Sequence, residues 1–149
     1  MDAVHTESAL QVIPMGGVIV TDEIYNTCVN IDSPAVGLAA FDIYKEEGLF
    51  ERARELAPVL ENAAHSLKGT LGVIDIRSVG LAAAVDLDPV PGMPGLRAFR
   101  AFEHGFANGH LFRVTGDTVA MAPPFISSST EIEYMIAALD EAIAFSLTP

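Results

Sequence analysis

One cysteine, eight basic residues and no long apolar run set the first limits on this 149-residue chain. A lone Cys28 cannot form an intrachain disulfide, and it offers no thiolate cluster to a structural zinc, so a reducing, cytoplasmic setting is expected. Eight Lys and Arg stand against twenty Asp and Glu, a formal net charge of -12. Such a charge repels phosphate backbones and anionic bilayers, which argues against nucleic acid or a membrane surface as partner. The apolar stretches are cut by Pro14, Gly37 or Asp86 well short of the roughly 20 residues that span a bilayer. Residues Met1 to Glu7 carry acids where a secretory leader needs a basic start, so no export signal is expected.

What the chain does hold is apolar: half of its residues are hydrophobic. That supports one sizeable core, since a single core serves about 100–200 residues. It also predicts a partner, another copy or another domain, because a domain this small has much surface to keep wettable. Val12 to Val20 reads as a turn and then a short strand, and Thr21 to Cys28 as a brief helix. Ser33-Pro34 follows as a cap and first helical residue. Helical spacing then runs from Pro34 to Lys68, split by Gly48, with Pro58 expected to kink or restart the second helix. Val73–Ile76 and Leu81–Leu87 predict a hairpin, and Asp88 to Gly95 is loop chemistry. Leu96, Phe99, Phe102 and Phe106 share one side of a helix ending at Asn108-Gly109, a stripe expected to pack in the core. His110–Val114 and Thr118–Ala122 predict a second hairpin around Thr115-Gly116-Asp117. Ser128-x-x-Glu131 and Thr130-x-x-Glu133 both have capping-box spacing ahead of an amphipathic helix through Ile132, Ile136, Leu139 and Ile143. The expectation is an α+β fold, a small antiparallel sheet with helices packed on one face.

Chemical motifs are sparse. No G-x-S-x-G elbow, G-x-G-x-x-G or P-loop occurs, and Gly92-x-x-Gly95 reads as a turn. Ser127, Ser128 and Ser129 are best read as helix caps, although a serine there, or Cys28, paired with a histidine base would make a small hydrolase. His5, His65, His104 and His110 lack the H-x-x-x-H spacing that puts two imidazoles on one helix face, so no metal site is expected. The acid pairs Glu46-Glu47 and Glu131/Glu133 read as solvated helix faces. Arg113 differs, lying between Phe112 and Val114 in a strand otherwise suited to burial. Its guanidinium requires an internal carboxylate, a solvent-facing position, or a carboxylate ligand.

Several blocks resemble class III aminotransferases, the pyridoxal-phosphate enzymes that include ω-amino acid:pyruvate transaminases. They are Asp42 to Ala53 (DIYKEEGLFERA), Glu55 to Pro58, Val73 to Leu81 (VIDIRSVGL) and, most specific, Phe112 to Ile126 (FRVTGDTVAMAPPFI). Pro14 to Val20 with Glu23-Ile24-Tyr25 resembles the strand and helix just beyond that family's catalytic lysine. The resemblance implies the C-terminal small domain of a fold-type I aminotransferase over residues 34–149. Residues 1–33 would be the remnant of the large-domain end and its connection. By the same resemblance Arg113 corresponds to the mobile arginine that pairs with the substrate carboxylate.

Two departures follow. The family's Schiff-base lysine lies several residues ahead of the Pro-Met-Gly stretch, yet residues 1–14 hold no lysine, and the chain's two, Lys45 and Lys68, lie far downstream. The family's G-Y-T-Y-S-G-H-P-like loop, whose threonine reaches a neighbouring subunit's cofactor phosphate, is deleted at Asn30 to Pro34. The expected protein is therefore a truncated class III aminotransferase that binds no cofactor and does not transaminate alone. It would self-associate through exposed apolar surface, with a small carboxylate as possible ligand. A small hydrolase and a dimerisation or binding module are the alternatives.

Overall fold

The computed structural model describes the backbone of residues 4–10, 13–19 and 35–148, and side chains from Phe41 onward. Two units make up the chain, Met1–Leu49 and Phe50–Pro149. In the first, β1 (Val4–Leu10) and β2 (Ile13–Ile19) form an antiparallel hairpin with Val4 opposite Ile19 and Leu10 opposite Ile13. Sequence patterning located β2 and missed β1, whose V-H-T-E-S-A-L mixes polar residues onto both faces. Pro14 is accommodated inside β2 because half the amides of a two-stranded ladder point away from the partner strand. Helix α1 (Ala35–Glu46) follows. The helix expected from Thr21, Cys28 itself and the Asn30–Pro34 junction lie outside the described residues.

The second unit carries the sheet. After α2 (Leu49–His65) come β3 (Val73–Val79), β4 (Ala82–Leu87), α3 (Leu96–Ala107), β5 (Arg113–Thr115), β6 (Thr118–Met121) and α4 (Ser129–Ser146). The strands lie in the order β3-β4-β6-β5, and every neighbouring pair is antiparallel. This is the α+β architecture expected from the sequence. Burial alternates as the period of two demands: Ala83, Val85 and Leu87 on β4 and Val119 and Met121 on β6 are buried, while the residues between them are not. The buried face meets Leu56, Leu60 and Ala64 of α2 and Ile132, Ile136, Leu139 and Ile143 of α4. Each such aliphatic side chain contributes about 1.5–3 kcal/mol by leaving water. The opposite face of the sheet is open, and the site described below lies on it.

Two expectations are narrowed or corrected. Of the kink or restart expected at Pro58, the restart does not occur: helix α2 runs through Pro58 as one element, with Pro58 itself exposed. On that side of the helix, water can satisfy the carbonyl that the missing N–H leaves unpaired. The aromatic stripe of α3, expected in the core, is turned outward: Phe99 is 49% and Phe106 65% exposed, while Ala98, Ala101 and Gly105 are buried. The cause is close approach. A Cβ on Gly105 would sit 2.6 Å from the Phe112 ring, so only small residues fit where α3 meets the core, and the bulky ones must take the other side. The three rings, Phe99, Phe102 and Phe106, form a ladder with centroids 6.1 and 6.0 Å apart.

Helix α4 begins at the first of the two capping boxes. Ser128 Oγ accepts the Glu131 N–H at 3.2 Å, and a Glu131 carboxylate oxygen accepts the Ser128 N–H at 2.7 Å. Arg52 on α2 donates to the carbonyls of Ile126 and Ser127 at 3.0 Å each, fixing the chain just before that cap.

Candidate functional site

The register places the open face residue by residue. Arg77 on β3 is opposite Ala84 on β4, Ala84 opposite Ala120 on β6, and Ala120 opposite Arg113 on β5. The row therefore reads arginine, alanine, alanine, arginine across four strands. The next row reads Asp75, Asp86, Thr118, Thr115. Two carboxylates set directly opposite one another repel. Arg77, one step along the same face, relieves this by donating to both: to Asp75 at 3.3 Å, and with both terminal nitrogens to the two oxygens of Asp86, one of these at 3.0 Å. Thr118 Oγ1 adds a third bond to Asp86 at 2.6 Å. These hydrogen bonds, from Arg77 first and Thr118 second, hold the Asp86 carboxyl below its ordinary pKa against the opposing effect of burial. Asp86 in turn holds the Arg77 guanidinium above its own ordinary value.

Arg113 has a different environment. It is exposed on the edge strand β5, and among the described residues no hydrogen bond or ion pair reaches its guanidinium. Arg52, Arg54, Arg77, Arg97 and Arg100 all have partners. Of the three environments open to Arg113, an internal salt bridge is thus absent among the described residues, and the side chain faces solvent on the open face. The neighbouring carboxylate of Asp117, in the β5–β6 turn, accepts the Gly95 N–H at 2.8 Å.

The other residues singled out from the sequence are dispersed. Ser128 Oγ is engaged in the α4 cap, Ser127 is buried, and Ser129 is the exposed first residue of α4. His104 stacks on Phe145 at 4.3 Å with a Glu141 oxygen at 3.7 Å; His110 lies between Phe112 and Tyr134. His65 lines a depression of about 180 Å³ with Lys68 and Asp75. Among the described residues no serine bonds a histidine, and no group of three His, Cys, Asp or Glu could hold a metal ion. Sequence reasoning overlooked Arg77, Asp86 and Thr118. A two-residue Gly80-Leu81 turn fixes the β3–β4 register, and that register would have revealed the Asp75–Asp86 clash and the arginine beside it.

Comparison with known proteins identifies relatives of this chain. No protein-family profile matches the chain. The "Omega-aminotransferase" of Caulobacter vibrioides is 36% identical over 141 residues, 83% of this chain and 32% of its own length. The "Beta-alanine--pyruvate aminotransferase" of Pseudomonas aeruginosa is 35% identical over 150 residues, 88% of this chain and 34% of its own. The homologues of this chain are class III aminotransferases. The fold agrees: an omega-transferase structure from Vibrio fluvialis superposes with a TM-score of 0.76 at 24% identity, covering 97% of this chain and 40% of that one. The chain thus spans about a third of the length of the curated aminotransferases it matches.

The aminotransferase family of these relatives uses pyridoxal phosphate, which needs a lysine and a phosphate cradle. Lys45 and Lys68 are both exposed. Lys68 borders the depression already noted, but its other walls, His65, Gly69 and Val73 to Ile76, bring no arginine or hydroxyl to a phosphate, and Asp75 would repel one. The depression beside Lys68 therefore does not fit the cofactor. Among them, no helix is long and apolar enough to cross a membrane.

Proposed function

We propose that residues 34–149 act as the C-terminal small domain of a class III aminotransferase, with residues 1–33 as the end of the preceding domain. Arg113 is the group that receives a substrate carboxylate, and the 149 residues alone do not transaminate. The observation that carries this reading is the guanidinium of Arg113, unpartnered among the described residues, on a sheet whose other arginine is fully engaged. The relatives are named for β-alanine, ω-amino acids and pyruvate, all of which present a carboxylate. A planar guanidinium binds that group through two parallel hydrogen bonds. The absence of lysine from residues 1–44, and the exposure of Lys45 and Lys68, support the second half of the proposal.

Saturation-transfer NMR on β-alanine and pyruvate tests the anchor. Wild-type chain is expected to transfer magnetisation to both ligands. Arg113→Gln is expected to lose the effect, and Arg113→Lys to keep only part of it, since an ammonium lacks the fork. Equal transfer by wild type and Arg113→Gln contradicts the assignment. We further propose that the Phe99–Phe102–Phe106 ladder, with Phe99 and Phe106 exposed, is where a second copy packs.

A further inference from the structure

In a chain of net charge -12, a guanidinium that is to receive an external carboxylate must first be kept from pairing with an internal one. The competitor on the open face is Asp86. It lies two strands across and two residues along from Arg113, a Cα separation of about 12 Å by strand spacing and rise. An extended arginine and an aspartate can close such a gap from both ends. The side chains between them, Ala84, Ala120 and Thr118, are too short to block the way. Asp86 is nevertheless engaged elsewhere. Both of its oxygens face the fork of Arg77, and Thr118 holds one of them as well. Asp75 is taken by the same arginine, and Asp117 by the Gly95 amide.

We propose that Arg77 is a positioning residue for the carboxylate site: by gripping Asp86 it keeps the sheet's own carboxylate off Arg113 and leaves that guanidinium open to an external ligand. The inference rests on the reading of Arg113 as the carboxylate anchor. Its physical basis is a competition that geometry decides. Arg77 sits on the strand next to Asp86 and engages it with two nitrogens, whereas Arg113 must stretch over an intervening strand and give up rotamer freedom to make the same pair. Without Arg77 the weaker pair forms by default. A merely structural Arg77, serving only to relieve the repulsion between Asp75 and Asp86, would alter stability and leave Arg113 unaffected.

The test reads the Nε–Hε resonance of Arg113, assigned by its loss in Arg113→Gln, during titration with sodium acetate against sodium chloride at equal ionic strength. Acetate is expected to move the wild-type resonance where chloride does not. Arg77→Gln is expected to weaken the acetate response about threefold, the strength of an exposed ion pair acting as competitor. Arg77→Gln/Asp86→Asn restores the wild-type response, and Arg77→Lys, which still neutralises Asp86, stays close to it. A second readout does not depend on acetate. In the Arg77→Gln background, adding Arg113→Gln raises the titration midpoint of the Asp86 carboxyl, whereas in otherwise wild-type protein it leaves that midpoint unchanged. Since Arg77 is half exposed, its variants are expected to keep the amide dispersion of the folded chain. An acetate-responsive Arg113 that is indifferent to Arg77→Gln overturns this inference alone, as does a loss that Asp86→Asn does not recover. An Arg113 silent toward acetate in the wild type overturns the anchor reading and, with it, the role assigned to Arg77.

Discussion

Gly105 shows how one missing methyl group decides what a helix presents to the core and what it presents to water. With the Phe112 ring 2.6 Å from the position of an added Cβ, Gly105→Ala forces either the ring or the helix to move. Overpacking of this kind costs about 1–3 kcal/mol, and the better helix propensity of alanine returns about 1, so a net loss of up to about 2 kcal/mol is expected in urea unfolding. The loss should shrink in a Phe112→Leu background. An unchanged midpoint for Gly105→Ala would mean that the helix does not approach so closely. Asp86 makes a different, pH-dependent contribution. Its carboxyl holds a proton less readily in the folded chain than in the unfolded one, so the stability it adds is present above the ordinary aspartate pKa of about 4. That stability is lost as pH falls through the lower folded value. Asp86→Asn is expected to flatten the decline of stability below about pH 4 and to leave the slope near pH 7 unaltered, as read from urea midpoints across the series.

Helix α4 is held at its start by a reciprocal pair of side-chain bonds. Ser128→Ala removes the acceptor for the Glu131 N–H and is expected to cost about 1 kcal/mol of stability, with Ser128→Thr, which keeps the hydroxyl, close to neutral. A Thr130→Ala variant should change nothing measurable, because the capping box forms at Ser128, not two residues later. The helices and hairpins of the second unit were legible in the sequence because each carries its own period: apolar residues three and four apart in α4, two apart in β4 and β6. The orientation of α3 was not. Both of its faces are apolar, small residues on one and phenylalanines on the other, and periodicity does not distinguish a stripe that fills a core from one pushed out by close packing. Arg113 could be singled out from the sequence because a charge stood among strand-forming apolar residues. The network that leaves it free could not, since Arg77, Asp86 and Thr118 come from three strands and meet only once the register is known.

The described surface carries two features that a self-contained domain would not need, an aromatic ladder on α3 and an open sheet face ending in a guanidinium without a partner among the described residues. If a second copy covers the ladder, sedimentation should show concentration-dependent association. Phe99→Ser/Phe106→Ser is expected to return the chain to a monomer, and a wild type that sediments as a monomer at every concentration contradicts that role. The open face has the opposite meaning under the proposed function: there it would meet a small carboxylate, in a chain whose lysines are exposed and downstream. The separation of substrate recognition from amine chemistry is tested most directly by amino-group transfer from β-alanine to pyruvate with pyridoxal phosphate and the purified 149-residue chain. The expected rate is no greater than that of pyridoxal phosphate free in solution. A rate well above it, abolished by Lys45→Arg or Lys68→Arg, would show that these residues carry the reaction after all.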